Sequence, residues 1–260
     1  MDLEDPYQPH RLTEPTWNYS ADRVSYDKSL AQSILDEAFI CQIAYHDPEV
    51  KAVRIVTRQY GRAANSLFVH GPAWGEKSGS RLYRLVDSGD VEHVTVTVSI
   101  ADALVPARRI ANAVLCYRSV VIFGTASIVG EDDGGDKLEA LQTIAEHILP
   151  GYWDNVEQPD AMDLEHVGVI RIDFDHVSCK SRNVGPPVNR DDGPEDRWTG
   201  TIPIRQVYGP PIPSSYRGAT DLPVPDYVKN LTGIRSATKI ITDPPDEDGA
   251  DTRPEGAPAF

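Results

Sequence analysis

The chain is poor in cysteine, in methionine and in positive charge. Its 260 residues include 3 Cys and 2 Met, and 25 Lys plus Arg face 40 Asp plus Glu, for a formal net charge of -15. Cys41, Cys116 and Cys179 form neither a CxxC pair nor an even framework. That excludes a disulfide scaffold and predicts reduced, buried thiols in a cytoplasmic protein. General nucleic-acid binding needs a basic face for phosphates, so this composition excludes it and leaves room only for a local anion site. No apolar run approaches the ~20 residues of a membrane span. The segment "MDLEDPYQPHRLTEPTWNYS" lacks the apolar stretch of a secretory signal, so no membrane partner is expected. The histidines show no HxxxH or HExxH spacing, and no metal site is predicted. Neither a Walker loop nor a GxSxG elbow is present.

What is present is a 40% hydrophobic content, enough for a sizeable core. "DKSLAQSILDEAF" sets Leu30, Ile34 and Ala38 on one helical face, with Asp27 as N-cap. "FICQIAYH" alternates as a strand. "VKAVRIVT" and "SLFVHG" predict a hairpin across the polar "RQYGRAAN" turn. "HVTVTVSIAD" is rich in β-branched residues and predicts a strand. "LVPARRIA" and "CYRSVVIFGTASIVG" predict two more, with Gly124 at a bulge or bend of the second. "DKLEALQTIAEHIL" has helical spacing and stops at "PG"; the acidic "EDDGGD" before it is expected to cap it. "HVGVIRIDFDHVSCK" is the last long strand. The expected class is mainly β (α+β): an antiparallel barrel with short capping helices.

One loop concentrates cations and small residues. "GEKSGSRLYRL" places Lys77, Ser78, Ser80 and Arg81 at a helix start. Unpaired N–H groups and the positive dipole end favour a phosphate there, and glycine allows close backbone approach. The alternative is a solvated loop whose cations serve solubility.

Several stretches, taken in order, carry a family likeness. "SLFVHG…GSRLYRL", "VTVTVSIADALV", "YRSVVIFGTASIV", "EHILPGYWD" and "CKSRNVGPP…WTGTIPI" resemble the flavin-nucleotide-binding, nitroimidazole-resistance-like branch of the pyridoxamine-phosphate-oxidase-like superfamily. The resemblance implies an FMN-binding split barrel that forms a homodimer with flavin between the subunits. It assigns the flavin phosphate to Ser80 and Arg81, with Lys77 and Ser78 just upstream. It lays Arg54 and Thr57 along the flavin ring and brings His70, Gly71, Arg118 and Ser119 towards the cofactor. Lys180, Arg182 and Trp198 would close over the partner's flavin. Arg118 needs an anion at the edge of a buried strand; a structural ion pair with a carboxylate is the alternative. Tyr117 and His70 are the candidate catalytic residues.

The implied organisation is an N-terminal arm (1–26), the FMN domain (27–182), an extension packing on the barrel or the dimer partner (183–235) and an acidic disordered tail (236–260). In the tail, "DPPDEDGADTRPEGAPAF" is too acidic and proline-rich to build a core. One departure bears on chemistry: "ANAVLCYRSV" puts Asn112 and Ala113 where relatives carry histidine, which argues against nitroimidazole reduction. The expected function is an FMN-dependent oxidoreductase acting on a small, apolar organic molecule. The alternatives are a non-catalytic flavin carrier, or a barrel holding haem or a deazaflavin.

Overall fold

Two short elements begin the chain, β1 (Val24–Ser25) and α1 (Lys28–Glu37). Four strands follow: β2 (Ile40–Asp47), β3 (Ala52–Gln59), β4 (Gly61–Ala63) and β5 (Ser66–Pro72). After α2 (Arg81–Asp87) come the long strands β6 (His93–Val105) and β7 (Val114–Ile128). Helices α3 (Asp136–Ile148) and α4 (Ala161–His166) precede β8 (Val167–Arg182). The remainder is short: β9 (Ile202–Pro203), β10 (Val207–Tyr208), α5 (Asp226–Lys229) and β11 (Gly233–Ile234). This is a computed structural model, and it describes residues 5–15, 21, 23–73, 80–130, 136–186, 196–214, 222–231 and 233–234. The "EDDGGD" turn and the acidic tail lie outside the described residues, apart from the backbone of Asp136.

All pairings are antiparallel, in the order β3-β2-β6-β7-β8-β5-β4, with β1 on β8 and β9 on β6. The sheet curls so that β3 and β5 approach without pairing, which leaves the barrel split along that seam. Inward residues alternate as period-2 strands require, and Ile43, Val96, Val120, Ile122, Ile172 and Val177 meet in one core. Helix α1 closes one side of it with Ala31, Ile34 and Leu35, its N-cap Asp27 accepting from the backbone of Ser29 and Leu30.

Two sequence expectations need correction. "VKAVRIVT" pairs with the preceding strand β2, from Ile40↔Gln59 to Asp47↔Ala52, and not with "SLFVHG". The tight turn at Pro48–Lys51, where Lys51 adopts φ 52, makes that pairing the more local one. "SLFVHG" pairs instead with β4, inside the expected turn, and with β8. "LVPARRIA" is not a separate strand: its first two residues end β6, and Ile110–Asn112 forms a 3-10 turn. Gly124 does stand at an irregularity, where the β7–β8 register shifts between Phe123 and Gly124. A Cβ there would collide with the Asp173 carbonyl. Among the described residues no helix is long and apolar enough to cross a membrane.

Candidate functional site

Polar side chains gather at the split between β3 and β5. Along β3, Arg54, Val56 and Arg58 share a face, because side chains alternate along a strand. Val56 packs on the core, and Arg58 stands opposite the fully buried Cys41. The Arg58 guanidinium therefore lies at the inner edge of the sheet. It donates to the Thr57 carbonyl at 3.1 Å and to Ser80 Oγ at 3.4 Å. Among the described residues it meets no carboxylate.

Ser80 is the buried N-cap of α2. A Cβ on Gly71 would come within 3.3 Å of Ser80 Cβ, so glycine lets β5 and the helix start approach closely. Gln59 Nε2 lies 2.7 Å from His70 Nε2. The Gln59 amide and the His70 imidazole are thus hydrogen-bond partners. Burial first, and then the charge of Arg58, lower the His70 pKa from its ordinary value. Arg58, Gln59, His70, Gly71 and Ser80 thus form one cluster.

The neighbouring arginines are committed elsewhere. Asp47 is fully buried and accepts from Arg81, with Arg81 Nη2 to Asp47 Oδ1 at 2.7 Å and Arg54 Nε to Asp47 Oδ2 at 2.9 Å. Arg81 Nη2 also reaches Glu49 Oε2 at 2.7 Å. Hydrogen bonding from Arg81, supported by the backbone N–H groups of Glu49 and Val50, holds the Asp47 carboxyl far below the usual carboxylate range. Asp47 and Glu49 in turn raise the pKa of Arg81. Lys77 and Ser78 lie outside the described residues.

Arg118 has its anions within the protein. It donates to Asp102 at 2.9 and 2.7 Å and to Glu37 at 2.7 and 3.0 Å. Asp102 is the extra residue of a bulge, since the β6–β7 register passes from Ala101↔Tyr117 to Ala103↔Cys116. A bulge re-aims its side chain, here towards Arg118. The structural ion pair that was the alternative role for Arg118 is therefore present.

Tyr117 stands opposite Arg182, and Ser119 opposite Lys180, on β7 and β8. Trp198 is 67% exposed. Asn112 and Ala113 occupy the β6–β7 turn. The neighbouring Thr57 row runs through Gln42 to Thr97 of β6, one residue short of Val98, and the turn begins after Val105. That is roughly 23 Å along the strand at about 3.3 Å per residue. Within one chain, the Arg58 cluster and the Asn112–Ala113 turn do not meet. The sequence reading missed Arg58, Gln59, Asp47 and Asp102. The inward register of Val56 was the available signal for Arg58.

A second gathering of polar groups lies on the outer face of the sheet. One row runs Ile55, Ala44, Thr95, Phe123 and His176 across β3, β2, β6, β7 and β8. Two residues beyond Ala44 and Thr95 stand His46 and His93. With His10 and Leu12 of the N-terminal arm they line a groove of about 650 Å³.

The family described as pyridoxamine 5'-phosphate oxidase matches residues 27–181. The chain belongs to this family. Two solved structures extend the likeness beyond the matched segment. One is a flavocytochrome from Azotobacter vinelandii, with 26% identity and a TM-score of 0.73 over 87% of this chain and 99% of that one. The other is an FAD and haem binding protein from Mycobacterium smegmatis, with 21% identity and a TM-score of 0.72 over 83% and 100%. A 5-nitroimidazole antibiotic resistance protein from Bacteroides thetaiotaomicron is also similar, with 20% identity and a TM-score of 0.48 over 60% and 85%. No curated protein matches the chain significantly. The split barrel is thus the pyridoxamine 5'-phosphate oxidase fold, and both clusters described above sit on it.

Proposed function

We propose that this member of the family is an FMN-dependent oxidoreductase acting on a small, apolar organic molecule. Arg58 is the observation that carries the phosphate assignment. It is a half-buried guanidinium beside Ser80 Oγ, while Arg54 and Arg81 are already neutralised by Asp47 and Glu49. A phosphate dianion accepts two parallel guanidinium hydrogen bonds and one from a serine hydroxyl. Lys77 and Ser78, just upstream in the sequence, and Arg81 are the other residues that the family likeness assigns to the phosphate. Bound flavin would supply two-electron chemistry, and the protein supplies position, electrostatics and water exclusion. His70 and Tyr117 are the side chains proposed to hold a proton near the reacting atoms. The three buried free thiols accord with a cytoplasmic protein.

Arg58→Ala is expected to weaken FMN binding by about 2 kcal/mol, the scale of a hydrogen bond to a charged group. Riboflavin, which lacks the phosphate, is expected to bind the variant and the parent alike. Titration of both ligands by fluorescence quenching checks this, and equal losses for the two would reject the phosphate assignment.

The proposed assembly is a homodimer with flavin between the subunits. Leu104 of β6 stands in register with Leu115 of β7 and Ile202 of β9, and all three are exposed. Such an apolar face marks an association surface. Sedimentation equilibrium is expected to give about twice 28.6 kDa for the flavin-loaded protein. A stable flavin-loaded monomer would contradict the assignment.

A second reading adds haem to the flavin. It is favoured by the 26% identical flavocytochrome, similar over nearly its whole length, together with four imidazoles collected in one groove.

A further inference from the structure

We propose that Glu49 is an exchangeable stand-in for phosphate on Arg81, which the flavin phosphate displaces, and that it thereby sets the affinity of the site. This rests on the FMN phosphate reading above and names the residue that regulates the same site.

The N–H donors of a guanidinium form a rigid planar fork, so each edge can take a pair of oxygens. Asp47 holds the Nε–Nη2 edge of Arg81: Nε donates to Oδ2, and Nη2 to Oδ1 at 2.7 Å. The other Nη2 hydrogen goes to Glu49 Oε2 at 2.7 Å. Nη1 donates to no group among the described residues. Glu49 therefore makes one bond at an edge that can make two.

The two carboxylates are held very differently. Asp47 is fully buried and accepts from Arg54 as well as Arg81. It also receives the backbone N–H groups of Glu49 and Val50 at 3.1 and 3.4 Å. Pulling it off Arg81 would strand a charge away from water. The Glu49 side chain is 67% exposed and sits on the turn between β2 and β3, where Pro48 and Val50 are exposed too. Its carboxylate accepts from no other group among the described residues. It can rotate into water and lose no more than an exposed ion pair, which contributes little.

A phosphate dianion is the better partner for that edge. It offers two oxygens to Nη1 and Nη2 and carries more charge than a carboxylate. Arg81 directly follows Ser80, whose Oγ meets Arg58, so the exchange takes place beside the proposed phosphate. Asp47 stays where it is and keeps the guanidinium aimed. Glu49 competes with the ligand, so removing its contact tightens binding.

The test is fluorescence titration of the full-length, flavin-free protein with FMN and with riboflavin at low ionic strength. Glu49→Ala removes the competing acceptor and is expected to bind FMN about threefold or more tightly than the parent, the scale of an exposed ion pair. Riboflavin affinity is expected to stay unchanged. Glu49→Asp keeps the charge but is one methylene too short to reach Arg81, and the same tightening is expected. Tightening in the alanine variant alone would show that Glu49 acts as a remote charge and would overturn the exchange. Unchanged or weaker FMN binding in both variants would overturn it as well. Equal affinities of the parent for FMN and riboflavin would instead overturn the phosphate reading on which the exchange rests.

Discussion

Arg118→Met is expected to destabilise the flavin-free protein by about 3–5 kcal/mol, the usual cost of removing one partner from a buried ion pair. The arginine faces two carboxylates that have little access to water. Asp102 is 4% exposed, and the side chains of Glu37 and Arg118 are 18% and 12% exposed. Methionine fills similar volume but takes the guanidinium away from both carboxylates. The damage spreads beyond one contact, because the guanidinium ties the end of α1 to β6 and β7. The Asp102 carbonyl also receives the Ile204 N–H at 2.8 Å, so the bulge anchors the segment after β9. Urea unfolding of the flavin-free variant gives the number free of any effect on cofactor binding. A loss below about 1 kcal/mol would place the cluster with ordinary surface ion pairs. Glu37→Gln and Asp102→Asn added to Arg118→Met are expected to recover much of the loss, since the three then leave no uncompensated charge.

Gly61→Ala is expected to cost about 3 kcal/mol or more, at the upper end of overpacking substitutions. A Cβ on Gly61 would lie 2.5 Å from the Ile144 backbone nitrogen and 2.6 Å from the Thr143 carbonyl carbon. These are helix backbone atoms, so no rotamer change relieves the clash; α3 must move away from β4. Two contacts beside it would be lost. Tyr60 packs on His147 with ring centroids 4.7 Å apart, and His147 Nε2 lies 2.8 Å from the Ala38 carbonyl oxygen. Hydrogen exchange is the direct measurement. The amides of α3 should lose protection first, while those of β6 and β7 keep theirs. Unchanged protection in α3 would show that the helix does not rest on Gly61 as described.

Near-neighbour physics made much of the fold legible in the sequence. Period-2 alternation marks β2, β6, β7 and β8, because a strand with one buried face must place apolar residues at every second position. Helix α1 is legible through its spacing and through Asp27, whose cap bonds reach only two and three residues along the chain. Even so, the buried face is Ala31, Ile34 and Leu35, one step round from the expected stripe. The family likeness was legible too, through motifs in order.

The partners of charged groups were not legible, because they depend on which distant strands become neighbours. Arg81 meets Asp47 34 residues away, and Arg118 meets Glu37 81 residues away. Asp102 reaches Arg118 only because one extra residue in β6 turns it, and nothing in "SIADALV" distinguishes that bulge from a continuous strand. Arg58 fell in the polar "RQYGRAAN" turn of the sequence reading, and only the pairing of β3 with β2 set it opposite the buried Cys41. The four groove histidines are unremarkable in the sequence, at positions 10, 46, 93 and 176. Sequence spacing decided which residues alternate and which turn. Tertiary register alone decided which cations are neutralised and which one meets no carboxylate among the described residues, since electrostatic pairing acts through space and strand registry sets that space.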